Sequence, residues 1–205
     1  MLNKGFIFDW SGTLSDNFHL FCQVCALVFK DLGKDPITSE EIRQNFTLPY
    51  MKFWNKYLPD LTKEKQCILY EKYIHEVGDP NLYPNVKDVI AELYTTGYMI
   101  FIVSSDPLSK LLPEIEDSGL KKYITKIEGG VHEKAGTIKN IVRDYSLDQN
   151  HSYYVGDTSG DVEAGKDAGV KTIGITWGFQ NKKLITEAHP DHIINDIIEI
   201  SRVSN

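Results

Sequence analysis

Short apolar runs of strand length alternate with longer segments of helical periodicity over much of the chain. The runs lie at 5–9, 98–103, 152–155, 171–176 and 192–194. Helix-length segments with apolar residues at helical spacing lie between them, at 85–96, 107–118, 134–145 and 160–168. Strands that alternate with helices predict a parallel sheet with helices on both faces, which is a doubly wound, Rossmann-like α/β core.

The segment 15–80 breaks this pattern, because it has helical periodicity and no strand-like run. Thr38 and Glu41 have the spacing of a capping box within it. We therefore predict two domains: an α/β core made of 1–14 and 81–205, and a small all-helical cap domain at 15–80. The cap helices are predicted at about 16–32, 39–46, 49–57 and 62–77.

The charge of the chain disfavours one class of partner. The 205 residues carry a formal net charge of −7, and the sequence shows no basic run. Because binding to a phosphate backbone relies on clustered Lys and Arg, we expect no nucleic-acid partner. No apolar run approaches the roughly 18–20 residues that cross a bilayer, so we also expect no membrane partner and a cytoplasmic location.

The cysteines fit that location, since three thiols cannot form a disulfide framework. Cys22 and Cys25 form a CxxC pair, but the sequence offers no second pair that would complete a metal site. Apolar residues surround the pair at helical spacing. We therefore predict that both cysteines lie on a helix and are buried in the hydrophobic core.

Polar residues follow three of the strand-like runs. They are Asp9 to Thr13 after the first run, Ser104 to Asp106 after the second, and Gly156 to Asp161 after the third. Lys134 opens the helix that leads to the third run. Because ligands of open parallel sheets bind at the carboxyl ends of the strands, these carboxylates, hydroxyls and the ammonium should converge at one site.

Such a group of carboxylates repels itself unless a hard cation lies among it, and oxygen ligands suit Mg²⁺. A carboxylate can attack phosphorus in line while the cation neutralises the phosphate oxygens. Lys134 would balance charge and Ser104 would hold a phosphoryl oxygen. The candidate substrate-binding residues are Gly12, Thr13, Ser104, Ser105 and Lys134. We therefore predict Mg²⁺-dependent transfer of a phosphoryl group from a small phosphorylated substrate.

These motifs resemble those of the haloacid dehalogenase superfamily, in the same order over nearly the whole chain. GFIFDWSGTLSDN resembles the first motif, YMIFIVSSDP the second, Lys134 the third, and YYVGDTSGDVEAGKDAGV the fourth. The resemblance implies that Asp9 is the nucleophile and a metal ligand, and that the carbonyl of Ser11 and the carboxylate of Asp157 are the other protein ligands of Mg²⁺. It implies that Asp161 supports the site through water or Lys134. The segment 15–80 is similar to the cap of beta-phosphoglucomutase and phosphoglycolate phosphatase.

Ser11 departs from the pattern of this superfamily. Phosphatases of the superfamily usually carry an Asp two residues after the nucleophile. That Asp protonates the leaving group and later activates water. Serine cannot be a carboxylate base, and general acid–base help contributes about 10²–10⁴ in rate. We therefore expect slower hydrolysis than in a typical phosphatase, and a higher turnover for Ser11→Asp.

Three functions stay open at this point. The first is hydrolysis of a phosphomonoester through a phosphorylated Asp9, with Ser11, Ser104, Lys134 and Asp161 as further catalytic candidates. The second is C–P bond hydrolysis, as in the similar phosphonoacetaldehyde hydrolase, with Lys52 or Lys56 of the cap forming a Schiff base. The third is weak activity, with phosphate-ligand binding or a regulatory role. We expect a monomer or a homodimer in each case.

Overall fold

The computed structural model describes residues 2–47 and 49–203. A six-stranded parallel sheet forms its centre. Its strands are β1 (Asn3–Phe8), β4 (Met99–Val103), β5 (Ile124–Glu128), β6 (Leu147–Gly156), β7 (Lys171–Ile175) and β8 (His192–Ile194). They lie in the order β5-β4-β1-β6-β7-β8, so β1 is central. A separate antiparallel pair joins β2 (Ser15–Asp16) to β3 (Asn81–Leu82).

Helices cover both faces of the sheet and fill the segment between β2 and β3. The four helices of that segment are α1 (Phe18–Asp31), α2 (Ser39–Asn45), α3 (Met51–Tyr57) and α4 (Lys63–Ile74). The others are α5 (Val86–Thr95), α6 (Leu108–Ser118), α7 (Lys134–Asp144), α8 (Ser159–Ala168), α9 (Lys182–Glu187) and α10 (Ile200–Val203). Short 3₁₀ turns lie at Lys121–Tyr123 and Ile197–Glu199.

Successive side chains of β1 enter different hydrophobic clusters. Phe6 and Phe8 belong to the cluster that includes α5 and α6, whereas Ile7 belongs to the cluster beneath α7 and α8. Neighbouring side chains of a strand point to opposite faces, so the part of a central strand that is covered on both sides is apolar at successive positions, as in the buried residues 5–8 of β1. The predicted doubly wound α/β core is thereby confirmed.

The prediction of no strand in 15–80 is wrong for Ser15–Asp16, because β2 and its partner β3 are two residues long and give no apolar pattern. The prediction also missed two features of the longer strands. It gave no strand at β5, whose sequence ITKIE is only partly buried at the edge of the sheet and therefore lacks a continuous apolar run. It also began β6 at 152, although the strand extends back to Leu147 through the polar residues DQNHS. Both errors have one cause, because polar side chains are tolerated where a strand is exposed to solvent.

The helical segment between β2 and β3 has a hydrophobic cluster of its own. Phe21, Val28 and Trp54 are among its buried residues, and Phe179, from the loop after β7, also belongs to it. The predicted capping box is confirmed, since the Thr38 hydroxyl accepts from the Glu41 amide at 3.1 Å and Glu41 accepts from the Thr38 amide at 2.9 Å. The division into domains at 14–15 and 80–81 stays a prediction.

The CxxC pair lies on α1, as predicted, but its two thiols differ. Cys25 is buried, whereas Cys22 is half-buried, so the prediction of two fully buried thiols is wrong for Cys22. Burial raises the pKa of Cys22 to about 11 and the pKa of Cys25 well above its ordinary value. Both thiols are therefore protonated and unreactive near neutral pH. Among the described residues, no helix is both long and apolar enough to cross a membrane.

Candidate active site

A cleft of about 1260 Å³ lies at the carboxyl ends of β1, β4 and β6. The sheet side of the cleft is lined by Asp9, Ser11, Ser104, Ser105, Lys134, Asp157 and Asp161. The opposite side is lined by residues of α1, α3 and α4, among them Phe21, Trp54 and Tyr70. The polar residues that follow the predicted strands therefore meet in one cavity, roofed by the helical segment.

Lys134 lies between two carboxylates at the base of this cleft. Its Nζ is 3.0 Å from Asp9 Oδ1 and 2.7 Å from Asp161 Oδ1. Burial alone would lower the pKa of Lys134, but the charges of Asp161 and Asp9 outweigh it and hold the pKa well above its ordinary value. Lys134 is thus a permanent buried cation beside the candidate nucleophile.

Asp161 is saturated with hydrogen bonds. Besides Lys134, its oxygens accept from the Tyr154 hydroxyl at 2.9 Å and from the Thr158 amide at 3.1 Å. Thr158 and Asp161 also form the capping box at the start of α8. Burial opposes ionisation of Asp161, but the Lys134 charge and these donors hold its pKa below the ordinary value. Asp161 therefore fixes Lys134 in place rather than offering free oxygens.

Asp9 and Asp157 belong to a cluster of buried carboxylates that could hold a divalent cation. One carboxylate oxygen each of Asp9, Asp157 and Asp161 lies within 4.8 Å of the others. Burial, more than any neighbouring charge, raises the pKa of Asp9 to about 7 and the pKa of Asp157 well above its ordinary value. Among the described residues no cation forms an ion pair with Asp157, so a bound Mg²⁺ would supply the missing positive charge. Asp9 and Asp157, with the Ser11 carbonyl, could hold the ion.

The turn after β1 packs tightly against Asp157. Gly12 has a φ of 74°, and a Cβ there would lie 2.4 Å from Asp157 Oδ2, so only glycine fits. The Gly12 amide donates within the turn, to the carbonyl of Ser15 and the side chain of Asn17, each at 3.0 Å. Thr13 is fully buried and donates to Asp157 at 3.4 Å. Both residues thus support Asp157, and neither is among the residues that line the cleft.

The two serines after β4 also have partners. Ser104 Oγ accepts from the Asp106 amide at 3.1 Å and donates to the Asp106 carboxylate at 3.3 Å. Ser105 Oγ donates to the Val131 carbonyl at 3.0 Å. A phosphate in the cleft would have to draw either hydroxyl away from these acceptors.

A second lysine centre, which we call the Lys110 centre, was not anticipated from the sequence. Lys110 Nζ lies 3.3 Å from Asp106 and 3.6 Å from Glu114, one helical turn to either side on or next to α6. The Trp10 indole donates to Glu114 at 2.7 Å, and Ser11 Oγ donates to Asp106. The spacing of four residues between Asp106, Lys110 and Glu114 indicates ion pairs along α6. It does not indicate that Asp106 contacts Ser11.

A family model described as haloacid dehalogenase-like hydrolase matches residues 6–175. The chain belongs to this family. It is 24% identical to a phosphoglycolate phosphatase of Synechococcus elongatus over 93% of the chain and 92% of that protein, and 25% identical to one of Vibrio parahaemolyticus over 96% and 93%. A haloacid dehalogenase-like family hydrolase of Streptococcus pneumoniae superposes with a TM-score of 0.84 at 23% identity, over 99% of each chain. The prediction that the chain belongs to this family is confirmed, and so is the prediction that it is a phosphatase-like hydrolase.

In this haloacid dehalogenase-like hydrolase, Phe179 links the helical roof to Asp157. Its amide donates to Asp157 Oδ2 at 2.6 Å, and its ring lies 5.3 Å from that of Phe18 and 4.9 Å from that of Phe46. Trp177, two residues earlier, donates to the Thr13 carbonyl at 3.2 Å and packs on the core. The sequence analysis did not assign Phe179, because an apolar residue after a strand gives no sign that its backbone is used.

The two cap lysines considered for Schiff-base chemistry lie elsewhere. Lys52 and Lys56 are exposed on α3, and Lys56 donates to Asn45. Neither is among the residues that line the cleft, where α3 contributes Trp54. The structure therefore does not bring either lysine together with Asp9.

Proposed function

We propose that this hydrolase is a Mg²⁺-dependent phosphatase that hydrolyses a small phosphorylated compound through a phosphorylated Asp9. One observation carries the proposal: Asp9 lies 3.0 Å from the buried cation of Lys134 and within 4.8 Å of Asp157, in a cleft that opens between the sheet and the helical roof. A carboxylate placed so is oriented by Lys134 and can attack phosphorus.

Each residue of the site has a role in this reaction. Mg²⁺, held by Asp9, Asp157 and the Ser11 carbonyl, would neutralise charge on the phosphate oxygens. An oxygen of Asp9 bonds to phosphorus as the bond to the leaving oxygen breaks, and water then attacks phosphorus and releases Asp9. Lys134 balances the charge on the phosphoryl group, and Asp161 fixes the position of Lys134. Ser104 would turn from Asp106 to donate to a phosphoryl oxygen.

The names of the relatives suggest phosphoglycolate as one compound to test, and the cleft gives a reason to test others beside it. Lys134 and Lys110 each already lie between two carboxylates. Neither is free to hold the carboxylate of glycolate without losing a partner. We therefore propose the class of small phosphorylated compounds rather than phosphoglycolate in particular.

The proposal is tested by phosphate release from a panel of such compounds, with Mg²⁺ and with a chelator. Acid quenching during turnover should trap a phosphoryl group on the peptide that contains Asp9, detected by mass. Asp9→Asn should lose both turnover and this adduct, whereas Asp167→Asn, an exposed change on α8, should keep both. Metal-independent turnover, or an adduct that persists in Asp9→Asn, would contradict the proposal.

The two alternative functions predict other results, and one of them needs a separate trapping experiment. Borohydride trapping of Lys52 or Lys56 with phosphonoacetaldehyde would support C–P hydrolysis, and binding of phosphate compounds without turnover would support a regulatory role.

We also propose a cytoplasmic location, supported by the free thiols of Cys22, Cys25 and Cys67. A monomer or homodimer is the proposed state, which sedimentation would measure.

A further inference from the structure

The direction of the hydrogen bonds at Ser11 is set by its neighbours. The amide oxygen of Asn17 accepts from the Gly12 amide at 3.0 Å, so the Asn17 nitrogen faces Ser11 and donates to Ser11 Oγ at 2.7 Å. Ser11 Oγ donates to Asp106. A hydroxyl has one proton and two lone pairs. The proton and one lone pair of Ser11 are therefore engaged, and one lone pair remains.

Asp106 acts as an acceptor on both of its oxygens. Oδ1 accepts from the Lys110 ammonium at 3.3 Å, and Oδ2 accepts from Ser104 at 3.3 Å as well as from Ser11. A hydroxyl bonds more strongly to a carboxylate than to an uncharged oxygen. The Ser11 proton is thus held by Asp106 in preference to the ester oxygen of a bound substrate.

Ser11 is close to the reaction centre, and its position is fixed. It lies two residues after Asp9 and lines the same cleft, together with Asp106 and Lys134. Its backbone bridges to Ser15 within the turn that also holds Gly12. The remaining lone pair of Ser11 is therefore the part of this hydroxyl that is available for the reaction.

We propose that Ser11 serves the site only as a hydrogen-bond acceptor, and that the enzyme therefore acts on compounds whose leaving group departs without a proton. These are acyl, enol and aryl phosphates rather than alkyl phosphates. Carboxyl and phenol groups have pKa values of about 4 and about 10, so their anions leave readily. Alkanols are about as weakly acidic as water, and their anions leave poorly without a proton donor.

The inference rests on the proposed function, and its two steps balance. In the first, an Asp9 oxygen bonds to phosphorus, and the leaving oxygen keeps the electron pair of its broken bond and departs as an anion. In the second, a water oxygen bonds to phosphorus and the bond to Asp9 breaks, with the electron pair returning to the carboxylate. Both water hydrogens end on the phosphate product, as dihydrogen phosphate. Ser11 orients that water by accepting a hydrogen bond and takes no proton, and Asp106 is the positioning residue.

The test compares wild type with Ser11→Ala across aryl and alkyl phosphates of graded leaving-group pKa. For wild type, kcat/KM should fall steeply as the leaving-group pKa rises. Because Ser11 gives no proton to the leaving group and acts only on the water of the second step, Ser11→Ala should keep the wild-type dependence of kcat/KM on leaving-group pKa and should lower kcat where the second step limits turnover. If Ser11 were a proton donor, Ser11→Ala would lower kcat/KM for alkyl esters by up to about 10²–10⁴ more than for aryl esters. That result would overturn the inference.

A second variant supplies the missing donor. Ser11→Asp combined with Asp106→Asn places one carboxyl group at position 11 without a second carboxylate against it. This variant should raise kcat/KM for alkyl phosphates, relative to aryl phosphates, by about 10²-fold and make the dependence on leaving-group pKa shallower. An unchanged dependence would contradict the inference. If this variant does not fold, the comparison of wild type with Ser11→Ala decides alone.

Failure of this inference can be told apart from failure of the proposed function. If the Asp9 adduct forms and wild-type kcat/KM does not vary with leaving-group pKa, the inference fails and the proposed function stands. If turnover persists in Asp9→Asn, the proposed function fails, and the inference fails with it.

Discussion

Two lysines border the cleft, and each lies between two carboxylates, yet their surroundings differ. Lys134 has a side chain that is 5% exposed, and its partners Asp9 and Asp161 are 9% and 1% exposed. Lys110 is 24% exposed, and its partners Asp106 and Glu114 are 18% and 12% exposed. The same pattern of one lysine between two carboxylates thus occurs once in a buried site and once in a partly exposed site.

The difference shows what each lysine contributes. A buried carboxylate that loses its cation keeps an uncompensated charge, whereas a partly exposed one is screened by water. Lys134 should therefore be needed for both folding and chemistry. Lys110 should instead keep Asp106 in its acceptor role while contributing little to stability.

Removing the buried cation should have the largest effect. Lys134→Met leaves the carboxylates of Asp9 and Asp161 buried without their cation, so we expect a loss of about 3–5 kcal/mol in the free energy of unfolding. The kcat for any turned-over phosphate compound should fall by about 10²–10³. Urea denaturation and steady-state kinetics measure the two effects. Lys139→Met, an exposed change on the same helix, is the matched control and should change neither. Equal stability of the two variants would refute the comparison.

Removing one hydrogen bond from the buried centre should have an intermediate effect. The Tyr154 hydroxyl donates to Asp161 at 2.9 Å, and both residues are buried. A hydrogen bond to a charged group contributes about 1.5–3 kcal/mol, so Tyr154→Phe should lower the free energy of unfolding by about that amount. Urea denaturation measures it. The distant variant Tyr94→Phe, whose side chain is exposed, should be neutral. A stable Tyr154→Phe would mean that Asp161 needs only Lys134 and Thr158.

Removing the cation at the border of solvent should have a smaller effect. Because Lys110 and its partners are partly hydrated, Lys110→Met should change the free energy of unfolding by about 1 kcal/mol or less. The measurement is urea denaturation beside Lys134→Met. A loss as large as that of Lys134→Met would show that the two centres are energetically alike.

Salt should give the smallest difference. Raising the ionic strength to about 1 M shortens the screening length to about 3 Å, so the small cost of Lys110→Met should shrink further. The cost of Lys134→Met should not change, because salt ions cannot approach a buried pair. Denaturation of both variants at low and high NaCl checks this. A cost of Lys134→Met that falls with salt would indicate that solvent reaches Asp9.

Several parts of the molecule could be predicted because local patterns determine them. The apolar run of residues 5–8 in β1, the capping box at Thr38 and the polar residues after the predicted strands all follow from local rules. The β5 strand could not be predicted, because an edge strand does not require a continuous apolar run. The convergence of Asp9 and Asp157 was predictable only through topology, since parallel strands bring their carboxyl ends to one edge.

By itself, the sequence determined the fold class, the succession of strands and helices, and which polar residues stand at the ends of the strands. These depend on periodicity and on residues close together in the chain. Only the tertiary structure decided that Ser11 gives its proton to Asp106, 95 positions away, and that the Phe179 amide holds Asp157. The physical reason is that a hydrogen bond has a direction, and which atom donates depends on what lies opposite it in space.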